Sequence, residues 1–365
     1  MLDCRLGRVS SLFILLAFVC VPAQAVVVLQ YHHISEHTPK ATSISPELFR
    51  LHMRHLNEAG YTVLPLPKIT EALTTGRALP DKTIAITFDD GYESVYTEAF
   101  PILKEKAWPF TVFVNTRPLE TGIPGFVSWD QLNEMAKHGA SIANHSHTHT
   151  HFLRREPKET DRQWRARIKN DIQTAQQIIQ QRTGQNHKLL AYPYGEYDRA
   201  VEALVEELGF VAFGQQSGPI ADNTEKHVDL QALSRFPFGG VYGDKDDFTT
   251  KVATLAMPIQ SVTVLADRNG PTLPDTVLPQ AVGKPVLQIT LRNDLTAPVQ
   301  CFASGQGAIP VDTQGQHIQT QAQKTLPIGR SRYNCTAASG QPGRFYWYSQ
   351  FFIRKQADGS WYPEP

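Results

Sequence analysis

Two short stretches gather side chains able to do chemistry. In the first, Asp89 and Asp90 follow the apolar, β-branched run Thr83 to Phe88 and precede Gly91. Such a run reads as a buried strand, so both carboxylates stand where a strand opens into a loop, the usual place for chemistry in α/β folds. Adjacent carboxylates repel, and one of them needs a cation or a proton. An ordinary polar Asp-Asp-Gly turn is the plainer alternative. In the second stretch, His145, His147, His149 and His151 fall within seven residues, behind Asn144. Neutral imidazole is a common ligand for zinc and similar metals. Histidines two apart share a face of a strand, and histidines four apart share a face of a helical turn. Two of them with Asp89 or Asp90 would make a two-His, one-carboxylate site that keeps positions open for water, as a hydrolytic metal centre requires. A histidine-rich surface loop with adventitious metal affinity is the alternative.

The elements that must position these groups are legible as an alternation. Strands are expected at 26–30, 61–64, 83–88, 110–114, 141–143, 189–192 and 210–213. Helices are expected from the Ser45-Pro46 cap to Gly60, at 69–75 and 93–106, from the capping box opened by Ser128 to Gly139, and at 158–182 and 198–208. That order argues for parallel strands with helices packed outside, an α/β fold of the incomplete (β/α) barrel kind. After about Asp247 helical periodicity disappears. Pro258, Pro271, Pro274, Pro279 and Pro285 punctuate short β-like runs, and the aromatic run 344–353 precedes an Asp358-Gly359 hairpin turn. Residues 255–365 are therefore expected to form a small all-β, sandwich-like accessory domain.

Composition bounds the rest. Among 365 residues, 41% are hydrophobic, enough for an ordinary core, and 35 basic residues balance 35 acidic ones, leaving no basic excess for nucleic acid or an anionic membrane surface. Arg5 and Arg8 precede an apolar run from Leu12 to Val21 that is short for a bilayer span, and Ala23-Gln24-Ala25 has the small-x-small form of a cleavage site. Residues 1–25 are thus expected to be a signal peptide, with export to the periplasm or medium and no stable membrane span. A retained anchor or lipidation at Cys20 is the alternative. Export leaves Cys301 and Cys335, which read as a disulfide in an oxidising compartment, with two free buried thiols as the alternative.

Thr87 to Gly91 and His145 to His149, in this order and at this separation, resemble the first two motifs of the polysaccharide deacetylases, the NodB-homology group or carbohydrate esterase family 4. The resemblance covers roughly residues 26–247, within an expected deacetylase domain of residues 26–250. It implies that Asp89 is a general base and that Asp90, His145 and His149 hold a divalent metal, zinc first, with cobalt, nickel or iron as alternatives. His147 with His151 is a rival register. Leu190 to Gly195 resembles the third motif, and implies an oxyanion contact from the backbone N–H of Tyr194. An Arg belongs two residues before Pro193 in that motif, and this chain has Ala191; Arg235 is the candidate to orient Asp89 instead. The family's late Leu-His pair is not visible after Arg235, and His227 sits in polar surroundings. Tyr31-His32-His33-Ile34 resembles an N-terminal element of the poly-β-1,6-N-acetylglucosamine deacetylases, which implies His32 as general acid, with His33 pointing away if the strand continues. Tyr92, Trp129 and Tyr194 are candidates to stack on sugar rings. The implied activity is metal-dependent N-deacetylation of an N-acetylglucosamine-containing polysaccharide with release of acetate. An O-acetyl esterase, or a non-catalytic carbohydrate-binding scaffold with a degenerate site, is the alternative.

Overall fold

The computed structural model describes residues 25–221 and 228–364; His227 and all of the expected signal peptide except Ala25 lie outside the described residues. Six parallel strands follow one another across the main sheet: β1 (Ala25–Tyr31), β2 (Thr83–Phe88), β3 (Phe110–Val114), β4 (Ala140–Asn144), β5 (Leu189–Ala191) and β6 (Val211–Phe213). Short strands Ile220–Ala221 and Phe236–Pro237 flank β1, and Thr62–Val63 pairs with β2, completing a nine-stranded sheet. The sheet curls into a half-barrel, so the fold is the expected incomplete barrel.

Helices α1 (Pro46–Glu58), α2 (Leu66–Thr75), α3 (Phe100–Glu105), α4 (Trp129–Lys137), α5 (Asp161–Thr183) and α6 (Arg199–Glu207) fill the crossovers, and α7 (Lys245–Val252) follows. Ser45 caps α1 by accepting from the Leu48 N–H, with Pro46 opening the helix as its fixed φ allows. Phe49, Met53 and Leu56 bury the inner face of α1 completely, worth roughly 1.5–3 kcal/mol per side chain. The expected helix at 93–106 forms, with a π turn, Val95–Ala99, inside it that runs directly into α3. Pro101 has no N–H to offer the preceding turn, so the hydrogen-bond register changes there.

The C-terminal strands are β7 (Ile259–Leu265), β8 (Val286–Leu291), β9 (Gln300–Ala303), β10 (Gly307–Ile309), β11 (Val311–Gln314), β12 (His317–Gln321), β13 (Gly329–Ala338) and β14 (Phe345–Arg354). One sheet runs β7-β8-β12-β11; the other runs from Leu255–Ala256 through β14, β13 and β9 to β10. They enclose Leu287, Ile289, Ile318, Tyr333 and Phe352. Cys301 and Cys335 face each other across β9 and β13 and are joined by a disulfide.

One expectation for this region, a hairpin at Asp358-Gly359, needs correction. The aromatic strand β14 starts partly exposed and is covered on both faces toward its end: Phe352 enters the sandwich core, while Phe351 and Ile353 pack with Leu190, Tyr192 and Tyr197 of the half-barrel. The turn at Asp358-Gly359 opens no second hairpin strand. Residues 361–364 run back onto the half-barrel, where Tyr362 joins the same cluster. Among the described residues no helix is long and apolar enough to cross a membrane.

Candidate active site

Asp89 and Asp90 leave the C-terminal end of β2. Asp90 and Gly91 both have left-handed backbone, φ 72° and 78°, and a Cβ at Gly91 would lie 3.1 Å from Cγ1 of Val114. Asp tolerates this conformation better than most residues, and only Gly fits beside β3. The Asp89 carboxylate is completely buried. Arg235 grips it with both terminal nitrogens, 2.7 Å from Oδ1 and 2.8 Å from Oδ2, and Gln30 Nε2 donates to Oδ2 at 2.7 Å. Arg235 is itself fully buried and donates through Nε to the Gly214 carbonyl at 3.0 Å. The guanidinium that Ala191 cannot supply thus arrives from the segment beside β1. Burial is the largest single influence and opposes ionisation of Asp89, but the charge and hydrogen bonds of Arg235, with His145 and His32 nearby, together hold the carboxyl below its ordinary range.

Asp90 Oδ1 lies 3.3 Å from His145 Nε2 and 3.2 Å from His149 Nε2. His145 Nδ1 is 2.8 Å from the Ala191 carbonyl, which can only accept, so the ring's N–H belongs there. In the neutral ring Nε2 then presents a lone pair toward Asp90 Oδ1, a buried oxygen with no hydrogen-bond partner. Lone pairs converging from a carboxylate and two imidazoles are what a divalent cation satisfies, and these three residues fit one. In its absence burial disfavours the His145 imidazolium, but the Asp90 and Asp89 carboxylates outweigh burial and raise its pKa. His149 is lowered to about 4 by burial and by His145 beside it.

The loop that carries these histidines is built by α5. Asn144, at the end of β4, donates to the Ile172 carbonyl at 2.9 Å and to Gln176 Oε1 at 3.1 Å, and accepts from the Ser146 N–H at 2.8 Å. Asp171 accepts from the N–H groups of His147 and Thr148, each at 3.2 Å, and from the Thr148 hydroxyl at 2.7 Å. Ser146 and His149 both have positive φ. Sequence reasoning missed Asp171 and Gln176; the available signal was two polar residues inside the buried stripe Ile168, Ile172, Ala175, Ile179. The rival register is not assembled: His147 Nδ1 is 2.8 Å from the Thr116 hydroxyl, and His151 Nδ1 is 2.8 Å from Glu196 Oε2.

The remaining candidates divide. β1 ends at Tyr31, so strand alternation does not carry through His32 and His33. His32 is half-buried and its charge acts on Asp89, Asp90 and His149. The condition for His33 to point away, a continuing strand, is therefore not met: its ring stacks on Tyr92 at 3.6 Å, and burial with His32 beside it, opposed by Asp90, leaves it at about 4. Tyr194 has φ 58° in the short turn Pro193–Gly195, and its ring is 4.6 Å from that of His149. Its N–H is among the first of that turn, where no partner exists within the turn. Trp129 donates to Glu120 Oε1 at 2.7 Å, while Glu120 pairs with Arg182, so its indole N–H is engaged away from Asp90, His145 and His149.

At its strand ends the half-barrel gathers three residues that could hold a metal ion, Asp90, His145 and His149, beside the Arg235-paired carboxylate of Asp89. Residues 76–213 match the polysaccharide deacetylase family, and the chain carries a domain of that family. It is 26% identical over 228 residues to the poly-beta-1,6-N-acetyl-D-glucosamine N-deacetylase of Escherichia coli K12, covering 53% of this chain and 34% of that protein. It is also 26% identical over 183 residues to YxkH of Bacillus subtilis, covering 50% of this chain and 61% of that protein. The chain therefore spans less than two thirds of either relative. IcaB from Ammonifex degensii superposes with a TM-score of 0.53 at 25% identity, over 63% of this chain and 96% of that one.

Proposed function

We propose that this protein is an exported, metal-dependent N-deacetylase of an N-acetylglucosamine-containing polysaccharide. The observation that carries the reading is the buried Asp90 oxygen facing two imidazole nitrogens, with Asp89 held ionised next to it. A cation held by Asp90, His145 and His149, zinc by the character of the donors, would polarise the acetyl carbonyl and lower the pKa of water. Arg235 and Gln30 fix Asp89 so that Oδ1, with one donor, keeps a lone pair to take the attacking water's proton. In this reading His32 returns a proton to the departing amine, and the Tyr194 N–H meets the oxyanion. The names of the relatives favour a β-1,6-linked poly-N-acetylglucosamine as substrate.

The test is acetate release by the purified protein, loaded with zinc or cobalt, from β-1,6-linked N-acetylglucosamine oligomers, chitin oligomers and an O-acetylated glycan. Asp89→Asn is the control. Metal-dependent acetate from an N-acetyl substrate, lost in the control, is the expected result. Release from the O-acetylated glycan alone would turn the reading to an esterase, and none from any substrate by metal-loaded protein would turn it to a binding protein.

A further inference from the structure

We propose that the C-terminal strands belong to the catalytic apparatus: Arg330 and Glu364 act through His151 and Glu196 as positioning residues for Tyr194. The inference rests on the reading of the Tyr194 N–H as the oxyanion contact. Tyr194 is a non-glycine residue in left-handed conformation within a three-residue turn, a state that persists only when its surroundings impose it. Its ring lies flat against His151, 3.7 Å between centroids and 7° between planes. His151 cannot rotate freely, because Nδ1 is 2.8 Å from Glu196 Oε2 and Nε2 is 3.7 Å from Glu364 Oε1. Glu196, two residues after Tyr194, is completely buried and also takes the Tyr362 hydroxyl.

The C-terminal strands close the network. Arg330 of β13 reaches Glu196 at 3.2 Å and Glu364 at 2.8 Å, with its guanidinium 5.7 Å from the Tyr194 ring centre and 5.6 Å from that of Tyr362. Arg154, three residues after His151, donates to Glu364 at 3.2 Å and sits 5.2 Å over Tyr362. His151, Glu196 and Glu364 are close enough to hold a metal, with ligand atoms within 4.8 Å. The Arg330 and Arg154 guanidiniums already satisfy those carboxylates, so the cluster works as a clamp rather than a second cation site. Removing Arg330 leaves Glu196 buried without its cation, and the turn carrying Tyr194 loses the contacts that impose its conformation.

The test compares Arg330→Met with the milder Tyr362→Phe, which removes a single hydroxyl. Acetate-release kcat is expected to fall about 10- to 100-fold in Arg330→Met and by less in Tyr362→Phe, the cost of a misplaced catalytic contact. Substrate KM and cobalt affinity are expected to change less than about threefold, because ground-state contacts and metal ligands are untouched. Affinity for a phosphonate analogue of the tetrahedral intermediate should fall in step with kcat/KM, which a loss of folded protein would not produce. Unchanged kcat in both folded variants, or a loss explained by released metal, would overturn the proposal. Wild-type protein that releases no acetate would instead overturn the functional reading on which it rests.

Discussion

At Asp89 desolvation and the surrounding positive groups pull in opposite directions, and those groups, Arg235 foremost, together win. A carboxyl whose folded pKa lies below its unfolded value contributes stability above the unfolded pKa, and loses it as pH falls through the folded value. Arg235→Met leaves the carboxyl buried with only Gln30 as donor. Its pKa then rises above the ordinary range, and the sign reverses: stability is lost as pH increases. Arg235→Met is therefore expected to cost about 3–5 kcal/mol at pH 7, the penalty for breaking a buried pair. The deficit should shrink toward pH 4, as read by urea denaturation across that range, and the acid limb of the acetate-release profile should move upward. A deficit independent of pH would show that packing, not the charge of Asp89, is what Arg235 supplies. Asp90→Asn should abolish stoichiometric zinc binding in elemental analysis while leaving the Arg235 pair in place. The Asp89–Asp90 pair was legible because both carboxylates end one strand. Arg235 was readable only as a candidate, since it lies 146 residues from Asp89 and nothing local marks a long-range partner.

Helix α5 holds the histidine loop through Asp171, which takes two backbone N–H groups and one hydroxyl while touching none of the three residues that fit a metal. Asp171→Ala is expected to weaken zinc binding about 10- to 100-fold, the usual effect of losing an outer support, with Asp90, His145 and His149 intact. Isothermal titration would read it, and unchanged affinity would mean that Asn144 and Ser146 hold the loop alone. Most of the strand–helix alternation was legible, because caps and buried runs are local signals. The π turn before α3 was not, because it depends on which hydrogen-bond register the chain adopts around Pro101. The histidines were read by strand or helix spacing, yet they occupy a loop with left-handed backbone at Ser146 and His149, so geometry rather than periodicity brings His145 and His149 together. β13 was hidden for another reason. Its alternate positions Arg330, Arg332, Asn334 and Thr336 look solvent-facing, but Arg330 and Arg332 reach Glu196 and Ser217 of the half-barrel.

Across the whole molecule the two regions share apolar surface as well as charge. Trp347 packs edge-on against Phe236 at 5.3 Å, Phe351 and Ile353 join the cluster around Tyr192, and Arg344 pairs with Asp81 at 2.9 Å. Lobes joined by small polar interfaces usually move and melt separately, whereas a shared apolar core couples them. The full chain is therefore expected to unfold in one calorimetric transition whose van't Hoff and calorimetric enthalpies agree. The disulfide supplies the sharper test, because Cys301 and Cys335 lie wholly within the C-terminal strands, 34 residues apart in sequence. Replacing both with Ala should release about 4 kcal/mol of constraint on the unfolded chain. If the coupling holds, the midpoint falls for the half-barrel too, and bound zinc is released at the same lower temperature as the β-strand signal is lost. Two separated transitions, with the zinc-release temperature unmoved by the Cys replacements, would mean that the half-barrel folds independently and the C-terminal strands only rest against it.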